Sequence, residues 1–175
     1  VFGAAGLKSH PLVLEGGSID ADGQGTLLTT TRCLIGSERN PGENRQSLRR
    51  LFRDLFGIDR ILWLDHGELE GDDTDGHIDM LARFCDTGTI AYTQCTDARD
   101  RNHAGLSAME AQLQTFRTSD DQPYRLIALP LPRPVHDRTG RRLPASYANF
   151  LVINGAVLVP VYDDPADGVA LERLV

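Results

Sequence analysis

Apolar and polar positions along the chain change period in a repeating order. Residues 17–22 and 26–34 alternate as two strands joined by the glycine-rich turn Asp22-Gly23-Gln24-Gly25, the arrangement of a β-hairpin. Leu48, Leu51, Phe52, Leu55 and Phe56 then fall at i, i+3, i+4, i+7 and i+8, one stripe of an α-helix, and Gly57 supplies a left-handed stop. The run Arg60-Ile61-Leu62-Trp63-Leu64 follows as a buried strand. A second unit repeats the order: strand 76–84, turn Asp86-Thr87-Gly88, strand 89–93, helix 104–116 and strand 125–129. A third begins with strand 146–153, turns at Asn154-Gly155, continues as strand 156–162 and enters a helix near Asp167.

The turns recur near positions 22, 86 and 154, a near-constant spacing for a strand, strand, helix, strand unit. The expected class is α+β, with units over roughly 12–65, 72–130 and 145–175, the last truncated. Such units bury their apolar faces only against neighbours. The chain therefore reads as a middle piece of a longer array, an expectation that its first residues, Val1-Phe2-Gly3-Ala4-Ala5, share, since they lack both Met and a signal-peptide pattern. Between the second and third units lies a long Pro- and Arg-rich stretch, residues 130–144. A connection of this length is either functional or a flexible surface excursion.

Composition narrows the function. The 175 residues are 41% hydrophobic and 25% charged, ordinary for a globular domain, and the longest apolar runs fall far short of a bilayer span. A net charge of −7 with 6% aromatics lacks the basic surface and stacking side chains of a nucleic-acid binder. Neither nucleic acid nor membrane is expected as a partner. Three cysteines, Cys33, Cys85 and Cys95, match no zinc or CxxC spacing and read as reduced thiols of a cytoplasmic protein. His10, His66, His103 and His136 show no HxH or HExxH spacing, and the acidic run at 72–79 fails the EF-hand template, so no metal is expected.

Candidate chemistry concentrates at equivalent places in the first two units. In Leu14-Glu15-Gly16-Gly17-Ser18 an apolar run hands a carboxylate to two glycines at a strand entrance. In Gly71-Asp72-Asp73-Thr74-Asp75-Gly76-His77-Ile78-Asp79, His77 and Asp79 stand two apart, which on a strand is one face. An imidazole and a carboxylate aimed at one space suit proton transfer beside cation binding. Each feature also has a plain reading. The glycine pair serves a tight turn or bulge, Glu15 is a solvated carboxylate, and His77 is a hydrogen-bonded structural histidine.

Five blocks, Leu14-Glu15-Gly16-Gly17-Ser18-Ile19, Gly25-Thr26-Leu27-Leu28-Thr29-Thr30, Arg39-Asn40-Pro41, Asp72 through Asp79, and Ala145-Ser146-Tyr147-Ala148-Asn149-Phe150, resemble the bacterial agmatine deiminase and peptidyl-arginine deiminase group in order and spacing, over nearly the whole length. The resemblance implies the pentein fold, a pseudo-fivefold α/β propeller of ββαβ units, of which about three of five are present. It implies hydrolysis of a guanidinium, agmatine and water giving N-carbamoylputrescine and ammonia in putrescine and polyamine biosynthesis, with no metal or organic cofactor. A cysteine attacks the guanidinium carbon to form a thiouronium intermediate. His77 matches the proton shuttle, Asp79 the carboxylate that holds the guanidinium, and Glu15 the carboxylate that orients the histidine; Asp73, in the same block, is a further substrate-binding candidate. The nucleophilic cysteine and a second guanidinium-binding aspartate are expected outside this segment, and none of Cys33, Cys85 and Cys95 is promoted in its place. The segment alone is thus expected to be inactive, and the full-length protein is expected to act on a small guanidine, with assembly as a homo-oligomer left open. Two alternatives stay open: a relative that deiminates peptidyl or free arginine, and a non-catalytic binding or scaffolding pentein.

Overall fold

The computed structural model describes residues 9–36 and 39–174. Strands β1 (Ile19–Ala21) and β2 (Thr26–Thr30) pair antiparallel, and β2 pairs in parallel with β3 (Arg60–Leu64), in the order β1-β2-β3. Between β2 and β3 lie a short helix, α1 (Thr31–Leu34), and α2 (Arg45–Phe56). A second sheet repeats the pattern. There β4 (Ala82–Asp86) pairs antiparallel with β5 (Thr89–Gln94), which pairs in parallel with β6 (Arg125–Pro130) after the crossover helix α3 (His103–Leu113). Two small hairpins follow, β7 (Val135–His136) with β8 (Arg142–Leu143) and β9 (Leu151–Ile153) with β10 (Ala156–Leu158), then α4 (Ala166–Leu174).

The middle strands explain how the layers stack. Every residue of β2 is buried, yet Leu27 joins Leu48, Phe52 and Ile58 against α2, whereas Leu28 joins Leu62 and Leu64 with Leu106, Met109 and Leu113 of α3. In β5 the same alternation sends Ile90 and Tyr92 to the α3 layer and Ala91 to Leu129, Tyr147, Phe150 and Ala170. Helix and sheet thus alternate in the sequence α2, first sheet, α3, second sheet, α4. A strand covered on both faces buries successive positions, so Leu27 and Leu28 in β2 and Ile90, Ala91 and Tyr92 in β5 stand side by side, while the flanking threonines are buried too.

Several elements differ from the sequence reading. Helix α2 begins at an Asn44/Ser47 capping box and ends at Gly57 with φ 68°, as the stop predicted. Its buried stripe narrows to Leu48 and Phe52, however, and Leu55 and Phe56 are about half exposed. Residues 31–34, expected to extend β2, turn into α1 because the Thr30 hydroxyl caps the Cys33 N–H. Strand β4 starts at Ala82, not at residue 76, because the Asp72 carboxylate captures the N–H groups of Thr74 and Gly76 and folds 72–77 into a turn that runs into the 3₁₀ helix Ile78–Met80. In the third unit Ser146, Tyr147, Ala148 and Phe150 are buried outside any strand, fixed by bonds from Ser146 to Thr93 and to Tyr162, which leaves β9 and β10 only three residues each and exposed.

The 130–144 connection is anchored, not a loose excursion. Arg142, 11% exposed, bonds Asp100 at 2.8 Å and Glu70 at 3.1 Å, and a side chain at Gly71 would come within 2.0 Å of the Arg142 carbonyl. Among the described residues, no helix is long and apolar enough to cross a membrane.

One side chain links all three units. Arg83 of β4 donates through Nε to Asp20 of β1 at 2.9 Å and through Nη1 to the Phe150 carbonyl at 2.9 Å, and its guanidinium lies 5.0 Å from the Phe150 ring centroid. Asp20 also accepts from the Phe84 N–H at 2.6 Å. Replacing Arg83 by Met leaves a largely buried carboxylate without its cation and should cost about 2–3 kcal/mol in urea unfolding; the double change with Asp20→Asn should recover part of that loss.

Candidate active site

Glu15 and His77 lie 62 residues apart in sequence yet share a hydrogen bond of 2.6 Å between Oε2 and Nε2. Glu15 is the extended residue that precedes the 3₁₀ turn Gly16–Ser18, and the Ser18 N–H and hydroxyl both bond back to its carbonyl, so the backbone that carries its side chain is pinned. His77 leaves the 72–77 turn. Its N–H donates to Thr74 Oγ1 at 3.2 Å, and the Gly76 carbonyl accepts from Thr30 Oγ1 at 2.7 Å, which ties that turn to the first unit.

The second imidazole nitrogen and the Asp79 carboxylate both lie against Gly17. A Cβ built on Gly17 would sit 2.5 Å from Asp79 Oδ2 and 2.6 Å from His77 Nδ1, so both atoms converge on the face of Gly17. Gly17 does not adopt a positive φ. The second glycine of the pair is therefore required for space, where the sequence suggested only a turn, and no such demand falls on Gly16, which has nothing within 4 Å. His77 and Asp79 reach one space from a 3₁₀ turn, not from one face of a strand as their spacing suggested. Asp73 is not drawn into this cluster: its side chain is 78% exposed and pairs with Arg141 at 4.0 Å.

The two carboxylates are pushed in opposite directions. The bond from His77, helped by Arg39 and opposed by partial burial, holds Glu15 below the usual carboxylate range. Burial raises Asp79 above that range, with the charges of His77 and Arg83 and the Asn149 amide pulling the other way. A half-buried carboxylate with no ion pair among the described residues is a receptor for a cation, and a planar guanidinium offers the matching fork of donors.

Residues without an assigned role in the sequence also belong here. Arg39 donates to Glu15 Oε2 at 2.9 Å, and the buried Cys33 thiol lies 4.0 Å from the same oxygen. Neither periodicity nor motif spacing reveals these contacts; the one sequence signal was the block Arg39-Asn40-Pro41. Donor atoms of Glu15, Cys33 and His77 lie within 4.8 Å of one another, a grouping with the residue types of a metal site. The fit is poor, because the Arg39 guanidinium already holds the Glu15 oxygen at 2.9 Å, a fixed cation beside the place an ion would take, and burial pushes the Cys33 thiol up to about 11. The same burial makes Cys33 a weak nucleophile, and burial raises Cys95 as well. Cys85 is exposed at the irregularity in β4, next in sequence to Asp86.

The family model for Porphyromonas-type peptidyl-arginine deiminase matches residues 1–175. The agmatine deiminase of Stutzerimonas stutzeri is 36% identical over 96% of this chain and 50% of its own length, and that of Pseudomonas putida is 34% identical over 93% and 49%. Among solved structures, a C. jejuni agmatine deiminase with a cysteine replaced by serine and substrate bound superposes with a TM-score of 0.86 at 41% identity, covering 93% of this chain and 47% of that one. The Enterococcus faecalis agmatine deiminase gives 0.82 at 29% identity, covering 95% and 50%. The chain spans about half the length of the relatives it matches.

Asp79 yields a prediction of sign. A carboxyl raised by burial costs stability when ionised, and that cost vanishes as pH falls and the group protonates. Asp79→Asn should therefore raise Tm at neutral pH, with the difference from the parent protein shrinking as the solution is acidified.

Proposed function

The chain belongs to the Porphyromonas-type peptidyl-arginine deiminase family and has its α+β pentein fold, and from that premise we propose that it carries the acid–base and guanidinium-binding half of a site that hydrolyses agmatine to N-carbamoylputrescine and ammonia. The observation that carries this reading is the convergence of Glu15, His77 and Asp79 on the space beside Gly17. Support for agmatine as the substrate comes from the agmatine deiminases it resembles. Support for a peptidyl-arginine alternative comes from the description of the family model.

In this reading Asp79, ionised by the arriving cation, accepts N–H bonds from the guanidinium and fixes its plane. A thiolate supplied from outside these residues adds to the guanidinium carbon. His77, charged and held through Nε2 by Glu15, gives the Nδ1 proton to the departing nitrogen, and ammonia leaves as the thiouronium forms. The neutral imidazole then takes a proton from water, whose oxygen attacks the same carbon and releases the thiol. One C–N bond is broken, one C–O bond is formed, and His77 ends as it began. Glu15 serves by accepting from Nε2–H, which keeps Nε2 as the donor end of the ring and leaves Nδ1 for the substrate. The C. jejuni enzyme that holds substrate after a cysteine is replaced by serine is in keeping with a thiol nucleophile.

Ammonia release from agmatine, free arginine and a peptide ending in arginine tests the reading on the complete protein. Agmatine should give the highest kcat/KM; a preference for the peptide would move the assignment to peptidyl-arginine, and no turnover of any guanidine would end it. His77→Ala should lower kcat by about 10³-fold, the usual scale of a lost general acid–base. Gly17→Ala should cost about 100-fold in kcat by displacing two reacting side chains while the fold persists. Residues 1–175 alone should release no ammonia, because burial raises the thiols of Cys33, Cys85 and Cys95 alike and none of them is a ready thiolate.

A further inference from the structure

Arg39 and Asn40 have no part in the chemistry above, yet they bind both sides of the site. The Asn40 side chain, 5% exposed, accepts from the Val13 N–H at 2.9 Å and donates to the carbonyls of Val13 and Leu34 at 3.1 Å each. It thereby fixes the backbone two residues before Glu15 to the end of α1. The Arg39 guanidinium donates through Nε to Glu15 Oε2 at 2.9 Å, through Nη1 to Asp75 Oδ2 at 2.6 Å and through Nη2 to the Thr74 carbonyl at 3.0 Å. Glu15 Oε2 is thus shared between Arg39 and His77. Asp75 stands at φ 60°, a left-handed conformation that costs a non-glycine residue about 1 kcal/mol. Arg39 holds the side chain of this strained residue two positions before His77.

We infer that Arg39 is a positioning residue for the guanidine hydrolysis, a fork that locks the Glu15 carboxylate and the 72–77 turn to one another so that His77 presents Nδ1 to the substrate space. The inference rests on the proposed function for its reaction. A fixed cation near a site for cations would repel substrate were it free. Here it is bonded to two carboxylates, Glu15 and Asp75, so the local balance stays negative. The three acceptors lie on two separate backbone segments, and a planar guanidinium meets them in a way that a point charge does not.

The full-length protein with agmatine supplies the test, with Arg39→Ala, Arg39→Lys and the exposed Arg53→Ala as a control that leaves activity unchanged. Arg39→Ala should lower kcat by about 100-fold and Arg39→Lys by about 10-fold, with KM shifted less than about threefold because Arg39 does not touch substrate. The acid limb of the kcat profile should also move to higher pH. Glu15 is faced by His77, by Arg39 and by the Cys33 thiol, with Asp75 beyond Arg39; without the guanidinium, one of the two bonds that favour its ionised form is gone. A purely structural role would lower Tm and leave the profile of the folded fraction in place. Wild-type kcat and pH profile in a folded Arg39→Ala protein would overturn the inference. Should Arg39→Ala not fold, an unshifted acid limb in Arg39→Lys overturns it and a shifted one supports it. Should the parent protein turn over no guanidine, the function fails separately, and ring-nitrogen NMR of His77 still decides: Arg39→Ala should lose the bonded Nε2–H signal, and its retention counts against Arg39.

Discussion

The contact between Glu15 and His77 is the constraint on which the rest depends. Each residue alone is ordinary, a carboxylate at a turn and a histidine in another. Together they require the first two units to dock with their turns in register, because 62 residues of chain separate two atoms 2.6 Å apart. The docking is carried by the α3 layer between the sheets and by Arg83, which reaches Asp20 behind the site and Phe150 beyond it. Polar links that close at a unit boundary fix geometry where apolar packing alone would permit sliding. The site is therefore a property of the interface between repeats.

Much of the fold was legible because the hydrophobic period changes so regularly. Three strands in each of the first two units, α2 with its glycine stop and the second crossover helix all follow from spacing and turn residues. What spacing does not carry is capture of the backbone by side chains. Thr30 caps α1 and Asp72 closes the 72–77 turn, and both events shorten a strand that the apolar pattern alone extends. The third unit keeps the hairpin at Asn154-Gly155 and the helix at Asp167, but its strands are shorter than the apolar pattern suggests for a related reason: Tyr147, Ala148 and Phe150 are apolar because they are buried outside a strand, while the strand residues beside them are exposed.

The sequence blocks offered Glu15, His77 and Asp79 as candidates, and the structure brings these three to one space. Asp73 was drawn from the same acidic run, yet it faces outward toward Arg141. In a turn, neighbours in sequence point in different directions, and no two-residue period applies. Gly17 and Arg39 were less visible. The demand on Gly17 comes from His77 and Asp79, about sixty residues away, and Arg39 acts through three bonds to two other segments, so neither leaves a local pattern. Cys33, read from the sequence only as a reduced thiol, is fully buried with its sulfur 4.0 Å from the Glu15 carboxylate.

A crystal structure of the full-length protein with agmatine bound measures the central claim directly. The account predicts that the guanidinium lies beside Gly17, with Asp79 oxygens about 3 Å from its nitrogens and His77 Nδ1 facing its carbon while Nε2 stays on Glu15. A guanidinium seated elsewhere, or one that Asp79 and His77 do not both touch, would contradict it.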